Sequence, residues 1–213
     1  MDKISAPMVG RPARAQGFEG LSRELQVELF RKGIHLFIAF VPFLASLDVA
    51  MTMAVLGAGT VIYAYAEHLR SQGREIALIS AMTNAASRPR DMGKFVLGPV
   101  TLGLGAMIAL LLYPEPAASI AIYALAFGDS FSSIIGKMVG GRRIPLTGGK
   151  TFAGSAACFS AVFLVVFRLT GKPAIAALLG ATAMLFEVLP TGDLDNIILP
   201  VGTGFVASQL LAS

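Results

Sequence analysis

Charged residues and cysteine are both scarce in this chain of 213 residues. Only 14% of its residues are charged and 55% are apolar, whereas about a quarter of a soluble domain is charged. The deficit and the long apolar runs argue against a soluble domain and predict an integral membrane protein. The single cysteine, Cys158, excludes a disulfide or a cysteine-based metal site within one chain.

The apolar runs predict an all-α fold, a polytopic membrane bundle of about seven transmembrane helices. A bilayer core about 30 Å thick requires roughly 20 helical residues. We expect a tail and interfacial segment over residues 1–27 and one membrane domain over 28–213, with a short surface helix inside the polar segment 68–94. The predicted spans are 30–47, 49–67, 95–113, 117–139, 152–170, 173–190 and 195–212.

Basic residues lie at the ends of the apolar runs. With a cytoplasmic N-terminus, fifteen of the 17 Lys and Arg residues fall on the inner side, as the positive-inside rule requires. The net charge of +4 therefore indicates membrane topology rather than nucleic-acid binding. The polar motifs described next are all predicted at or near the cytoplasmic face.

Asp129 lies within the run 117–139, where a carboxylate costs at least about 2.5–3.5 kcal/mol. It has to face a polar interior or a partner, and a single contact between helices is the structural alternative. Glycines on the same face permit close approach of a helix or a ligand, so this face is a candidate site for a divalent cation. Steps of three and four residues place four small residues on that face: Ser132, Ser133, Gly136 and Gly140.

The next loop combines glycines with a lysine, in Thr147-Gly148-Gly149-Lys150-Thr151 and then Gly154-Ser155. It is not a Walker P-loop, because Ile144 stands where that motif needs glycine and no strand precedes it. Exposed backbone N–H groups, a lysine and a helix that begins near Thr151 still suit phosphate. A basic loop that only anchors two helices is the structural alternative.

Two further clusters carry charge. Glu187, Asp193 and Asp195 fall within nine residues that contain no Lys or Arg, and Mg²⁺ prefers such carboxylates together with phosphate oxygens. Asp195 could alternatively cap the last helix. At the start of the first run, Glu28, Arg31 and His35 share one helical face beside Lys32; phosphate binding and simple helix anchoring both stay open for this cluster.

In their order and spacing, these motifs resemble the CTP-dependent lipid kinases. That family includes dolichol kinase, phytol kinase and the yeast-type diacylglycerol kinase, and it is related to phosphatidate cytidylyltransferase. The resemblance covers about residues 28–205 and is carried by Arg31-Lys32-x-x-His35, Asp129 with Gly136 and Gly140, Lys150-Thr151 with Gly154-Ser155, Glu187, and Asp195-Asn196 with Pro200.

The resemblance implies transfer of the γ-phosphoryl group of CTP to a polyprenol, phytol or diacylglycerol in the bilayer, with Mg²⁺ as cofactor. It implies Asp129, Lys150 and Glu187 as catalytic residues and Asp129, Glu187 and Asp195 as metal ligands. A homodimer is left open. The residues implied to bind nucleotide or phosphate are Arg31, Lys32, His35, Gly136, Gly140, Lys150, Thr151, Gly154, Ser155 and Asn196.

The sequence departs from the family pattern at Ala153, where members often carry glutamate. Two alternative functions stay open. A cytidylyltransferase would attack the α-phosphorus of CTP and release pyrophosphate, whereas a kinase releases CDP. A transporter could use Asp129 and Glu187 as intramembrane carboxylates, and its activity would not depend on nucleotide.

Overall fold

The computed structural model describes residues 13–74 and 94–212, with side chains described from residue 25 onward. Within these ranges the chain is helical and contains no β-strand, and one isolated antiparallel bridge joins Arg143 to Thr151. The all-α prediction is confirmed. The predicted surface helix in segment 68–94 and the first part of the predicted tail fall largely on residues outside the described ranges.

The described part of the chain contains nine α-helices and three short turns of other helix types. The short turns are a 3₁₀ turn at Ile38–Phe40, a π-helical turn at Ala124–Gly128 and a second 3₁₀ turn at Gly192–Leu194. Each of them continues directly into the next α-helix. The helices are α1 Ala13–Phe37, α2 Val41–Leu47, α3 Val49–Ser71, α4 Gly98–Leu112, α5 Ala117–Tyr123, α6 Asp129–Val139, α7 Phe152–Thr170, α8 Pro173–Val188 and α9 Asp195–Leu211.

Five helical segments are long and apolar enough to cross a membrane: Leu25–Leu47, Val49–Ser71, Ala117–Val139, Phe152–Thr170 and Gly192–Leu211. Helices α4 and α8 are also apolar but have only 15 and 16 residues, fewer than the roughly 20 that cross a bilayer core without thinning. Each predicted run is therefore a helix. The count of seven spans and the side of the N-terminus stay predictions.

Short-range signals in the sequence explain where several helices begin and end. The Asp48 carboxylate accepts a hydrogen bond of 2.8 Å from Met51 N and caps α3, which satisfies one of the unpaired donors of the first turn. Proline in the first turn begins α2, α4 and α8, because it needs no backbone donor there. Gly171 ends α7 in the left-handed conformation, with a φ of 66°.

The segment Ala117–Val139, which comprises α5, the π-helical turn and α6, is the central element of the bundle. Of its most apolar stretch, 61% is buried, compared with 11–33% for the other four long segments. Helix α1 packs against α6, while α6, α7, α8 and α9 pack in succession and α9 also contacts α4 and α5. The apolar core surrounds this segment and includes Ile120, Ile122, Leu125, Val162 and Leu179.

Helices α4 and α9 approach very closely where Gly105 meets Asn196. Pro200 lies inside α9 and has no N–H to donate, so the carbonyl of Asn196 lacks its usual partner within the helix. Gly105 lies directly against that carbonyl, and an added Cβ would collide with the oxygen. Glycine at position 105 is therefore required by the spacing between the two backbones.

We expect Gly105→Ala to lower the stability of the protein by about 1–3 kcal/mol, as overpacking of a tight contact does. Thermal unfolding in detergent should show a lower Tm. The matched control is Gly59→Ala on α3, where an added Cβ meets nothing within 4 Å and the Tm should not fall. Equal melting temperatures for the two variants would contradict the close approach.

Candidate active site

The π-helical turn positions Asp129 in the middle of the central segment. Asp129 is the residue that follows the turn, and its side chain is 3% exposed. Gly128 fits the turn against α7, because a Cβ there would lie 3.1 Å from both Cys158 Sγ and Val162 Cγ2. Asp129 therefore lies in the interior of the bundle, near the middle of the segment Ala117–Val139; its position relative to the cytoplasmic face stays a prediction.

Lys32 of α1 compensates the Asp129 carboxylate, and His35 lies beside it. Lys32 forms a buried ion pair with Asp129 Oδ2, and His35 Nδ1 lies 3.1 Å from the same oxygen, although the ring is not oriented for a hydrogen bond between them. Both residues are less than 5% exposed. Since a buried carboxylate is costly without a partner, these contacts make its position tolerable, and they confirm that Asp129 faces partners inside the bundle.

Glu187 is the centre of a second buried group, about one helical turn away along α6. Lys150 Nζ lies 2.5 Å from Glu187 Oε1, and Ser132 Oγ donates a hydrogen bond of 2.5 Å to the same oxygen. Ser155 Oγ donates to Oε2 at 3.3 Å. Four parts of the fold therefore converge on one carboxylate that is 1% exposed: α6, the loop before α7, the first turn of α7 and the end of α8.

The loop that carries Lys150 folds back on itself. Ile144 N donates to Lys150 O at 2.8 Å, and Phe152 N donates to Arg142 O at 3.2 Å. The return needs left-handed backbone at Gly148 and Gly149, whose φ angles are 70° and 104°, and glycine adopts this conformation without strain. The Gly-Gly-Lys sequence thus directs the lysine inward to Glu187.

All three carboxylates predicted as metal ligands influence Lys150. Burial alone would lower the pKa of the Lys150 ammonium, but Glu187 and then Asp129 and Asp195 raise it, and the pKa lies above its ordinary value of 10.5. Lys150 is therefore a cation throughout the physiological pH range. Its position links the Asp129 pair, the Glu187 group and the start of α9.

The three carboxylates do not form a ready-made metal site. No group of three or more His, Cys, Asp or Glu side chains that could hold a metal occurs in the described part of the chain. Asp195 is half-buried in the first turn of α9, one residue after the N-cap position held by Leu194. The assignment of Asp129, Glu187 and Asp195 as metal ligands stays a prediction.

The glycines of the motif serve mainly to bring α6 and α7 together. A Cβ at Gly154 would lie 2.7 Å from Ser132 O, and one at Gly136 would lie 2.9 Å from Thr151 Oγ1. Thr151 caps α7 by accepting a hydrogen bond of 3.1 Å from Gly154 N, and the helix begins near Thr151 as predicted. The sequence left open whether these glycines allow a helix or a ligand to come close. In the structure, Gly136 and Gly154 allow α6 and α7 to come close.

Three of the predicted nucleotide-binding residues lie apart from the two carboxylate groups. Gly140 ends α6 with a φ of 62°. Arg31 Nη1 lies 3.3 Å from Glu28, and Asn196 Nδ2 donates to Gly98 O and Thr101 Oγ1 at 3.2 and 3.0 Å. Asn196 therefore orients α4 against α9, while Arg31 belongs to a charge cluster nearer the end of the bundle.

Two polar contacts were not anticipated from the sequence. Ser132 is a hydrogen-bond donor to Glu187, and Lys137 forms an ion pair of 2.7 Å with the buried Glu28. The sequence predicts Ser132 only as a small residue on the Asp129 face, although its position three residues after Asp129 also places its hydroxyl near the site. Lys137 is separated from Glu28 by 109 residues, so no local pattern reveals that pair.

Comparison with known proteins identifies plant relatives that cover nearly the whole chain. The chain is 26% identical over 226 aligned residues to a "Probable phytol kinase, chloroplastic" of Triticum aestivum. This alignment covers 96% of this chain and 75% of the wheat protein. It is 25% identical over 224 residues to "Probable phytol kinase 1, chloroplastic" of Oryza sativa subsp. japonica, covering 95% and 71% respectively. These homologues support a lipid kinase family. No protein-family profile and no solved structure matches the chain.

We expect the raised pKa of Lys150 to appear in the pH dependence of stability. A raised pKa in the folded state stabilises the protein fully below the unfolded value of 10.5, and this contribution is lost as pH rises further. Unfolding of wild type and Lys150→Met in detergent, between about pH 9 and 12, should give a stability difference that shrinks above pH 10.5. Lys172→Met, at an exposed lysine, is the control that should follow wild type; a difference that is constant with pH would contradict the ion pair.

Proposed function

We propose that this protein is a membrane-embedded kinase that transfers the γ-phosphoryl group of a nucleoside triphosphate to the hydroxyl of a lipid alcohol. CTP is the proposed donor and an isoprenoid alcohol of the phytol type is the proposed acceptor. The observation that carries the proposal is the pair of buried lysine–carboxylate contacts, Lys32 with Asp129 and Lys150 with Glu187, inside an apolar helical bundle.

The charges of this site suit phosphoryl transfer. The reaction requires positioning and neutralisation of phosphate oxygens rather than covalent catalysis. Lys32 and Lys150 are held by carboxylates that can release them to the phosphates of an incoming nucleotide. In this proposal Lys150 binds the terminal phosphates, because it is at the inward-folded loop and is 25% exposed at the side chain, whereas Lys32 is almost fully buried.

The acceptor hydroxyl is proposed to approach Asp129. This carboxylate lies between apolar helices at mid-bundle, at a depth that an alcohol in the bilayer can reach. When Lys32 turns toward phosphate, Asp129 is free to accept the proton of the hydroxyl as it attacks, in the manner of a general base. His35 Nδ1 lies 3.1 Å from Asp129 Oδ2 and is the nearest other polar group of α1.

The carboxylates also fit a magnesium ion that is bound together with the nucleotide. Mg²⁺ is commonly held by one or two carboxylates plus substrate phosphates rather than by an all-protein cage. Once the lysines engage phosphate, Glu187 and Asp195 would hold it together with the Asp129 oxygen that does not accept the hydroxyl proton. When bound, the ion would neutralise charge on the transferring phosphoryl group.

The plant relatives support the lipid alcohol as acceptor, since they are named as probable phytol kinases. The cytoplasmic orientation of the site is part of the proposal and is supported by the distribution of Lys and Arg. The loop of Lys150 also carries exposed Arg142 and Arg143, which are typical of a cytoplasmic loop. The donor nucleotide would then reach the site from the aqueous side.

A product assay tests the reaction itself. Purified protein in phytol-containing detergent micelles with Mg²⁺ should form phosphorylated phytol from γ-labelled CTP, with CDP as the second product. The same assay with phosphatidate in place of phytol should release no pyrophosphate. Pyrophosphate with a CDP-lipid would identify a cytidylyltransferase, and no consumption of CTP or ATP with any alcohol would overturn the kinase proposal.

Asp129→Asn should reduce turnover by about a hundredfold or more, the scale of a lost general base. The amide keeps the shape of the side chain and can still accept a hydrogen bond from Lys32, so the variant should stay folded. The matched control is Asp48→Asn, because asparagine caps a helix as well as aspartate does and Asp48 caps α3. Activity of Asp129→Asn within a few-fold of this control would remove Asp129 from the reaction.

A further inference from the structure

Glu28 is a buried carboxylate that the proposed reaction does not use. It belongs to α1, has no exposed surface, and accepts a hydrogen bond of 2.7 Å from Lys137 Nζ of α6. Arg31 Nη1 lies 3.3 Å and 3.5 Å from the two oxygens of the same carboxylate. These contacts join two cations to one anion, so they carry one positive charge in excess.

This cluster lies one helical turn from the Lys32–Asp129 pair. Lys32 follows Glu28 by four residues, which corresponds to about 6 Å along α1. Glu28 is three residues from the start of its apolar segment, and Lys137 is two residues from the end of its own. The contact between Glu28 and Lys137 therefore brings these two segment ends together and places the cluster between the buried Asp129 and one end of the bundle.

The two cations are accessible, although the carboxylate between them is not. The side chain of Lys137 is 38% exposed and that of Arg31 is 13% exposed. Glu28 engages one of the three nitrogen atoms of the Arg31 guanidinium, and the Lys137 ammonium has three donors. Both side chains can therefore donate to a second anion that arrives from this end of the bundle.

The chemistry of the two cations fits a chain of phosphates. A guanidinium presents a planar fork that matches two phosphate oxygens, and an ammonium beside it supplies a point charge. Glu28 offers the same kind of oxygen acceptors from inside the protein. Because this carboxylate is buried, it determines where the ends of Arg31 and Lys137 meet before a ligand binds.

We propose that Arg31 and Lys137 bind the phosphates of the nucleotide that are not transferred, and that Glu28 is the positioning residue that holds these two cations together. This inference rests on the proposed kinase function and adds Lys137 and Glu28 to the groups that act on the nucleotide. Lys150 then binds the terminal phosphate, while the Arg31–Lys137 pair binds the rest of the chain. Binding at both places requires a triphosphate and selects it over a monophosphate.

Lys137→Met tests the site through the substrate whose KM changes. The KM for CTP should rise about tenfold or more, the scale of one lost hydrogen bond between charged groups, and the KM for phytol should stay unchanged. The matched control is Lys94→Met, at an exposed lysine before α4, which removes the same charge outside the cluster and should behave as wild type. Equal increases in the two variants, or an unchanged KM for CTP in Lys137→Met, would overturn the site.

Glu28→Gln tests the positioning role, because it keeps the shape of the side chain and removes its charge. Without the carboxylate the two cations repel each other, so the KM for CTP should rise severalfold while the KM for phytol stays unchanged. A lower Tm with an unchanged KM for CTP would make Glu28 part of a structural ion pair and would overturn its positioning role.

A protection experiment on the wild-type protein needs no turnover and so separates this inference from the kinase proposal. Acetic anhydride in neutral detergent should acetylate Lys137 and the exposed Lys94 and Lys172, as mapped by mass spectrometry. Inorganic triphosphate, without Mg²⁺ or phytol, should reduce the acetylation of Lys137 severalfold and leave that of the other two unchanged. Such protection in a protein that phosphorylates no alcohol would overturn the kinase function and retain the phosphate site.

The same experiment distinguishes nucleotide phosphates from the phosphates of lipid headgroups. Micelles that contain phosphatidylglycerol should leave the acetylation of Lys137 as it is in neutral detergent. Protection by this lipid and not by triphosphate would show that the pair binds headgroups and would overturn the nucleotide assignment. Absence of protection by both would overturn the phosphate site even in a protein that phosphorylates phytol.

Discussion

The buried carboxylate of Asp129 is the constraint on which the rest of this structure depends. A carboxylate in the middle of an apolar bundle is tolerable only with a compensating charge. Lys32 provides that charge from α1, with His35 beside the same oxygen, which ties the first membrane helix to the central segment. Glu187, about one helical turn away, is a second buried carboxylate that needs polar partners. Lys150 forms an ion pair with it, and Ser132 and Ser155 donate hydrogen bonds to it. The two compensated carboxylates add polar contacts between helices to the apolar contacts of the core.

The helices were predictable from the sequence because their signals are local. Apolar runs of suitable length, prolines in first turns and the glycine after α7 mark the ends within a few residues, and the predicted run 152–170 coincides with Phe152–Thr170. The polar residues that face the interior were also identifiable, because a charge within an apolar run has to face a partner. Asp129, Lys150 and Glu187 are all buried or half-buried in the two groups where the structure places them.

What the sequence could not reveal is which of these residues meet. Lys32 and Asp129 are 97 residues apart and Lys150 and Glu187 are 37 apart, so no periodicity connects them. The glycines illustrate a second limit, since a small residue permits either a ligand or a helix, and only the positions of α6 and α7 decide for the helix at Gly136 and Gly154. Asn196 is similar: its place beside Asp195 indicated the site, while its amide engages α4.

The π-helical turn at Ala124–Gly128 sets the rotation of the buried Asp129 relative to the partly exposed aromatic side chain of Tyr123 on the same segment. Such a turn adds one residue to the regular α-helical repeat, and one residue corresponds to a rotation of about 100°. If a single residue of the turn were deleted, the segment could close into a regular helix and stay equally apolar. Tyr123 would then be rotated by about that angle relative to Asp129. A one-residue deletion in this turn would therefore change the angle between Tyr123 and Asp129 about the helix axis. A substitution of either residue alone would leave that angle unchanged.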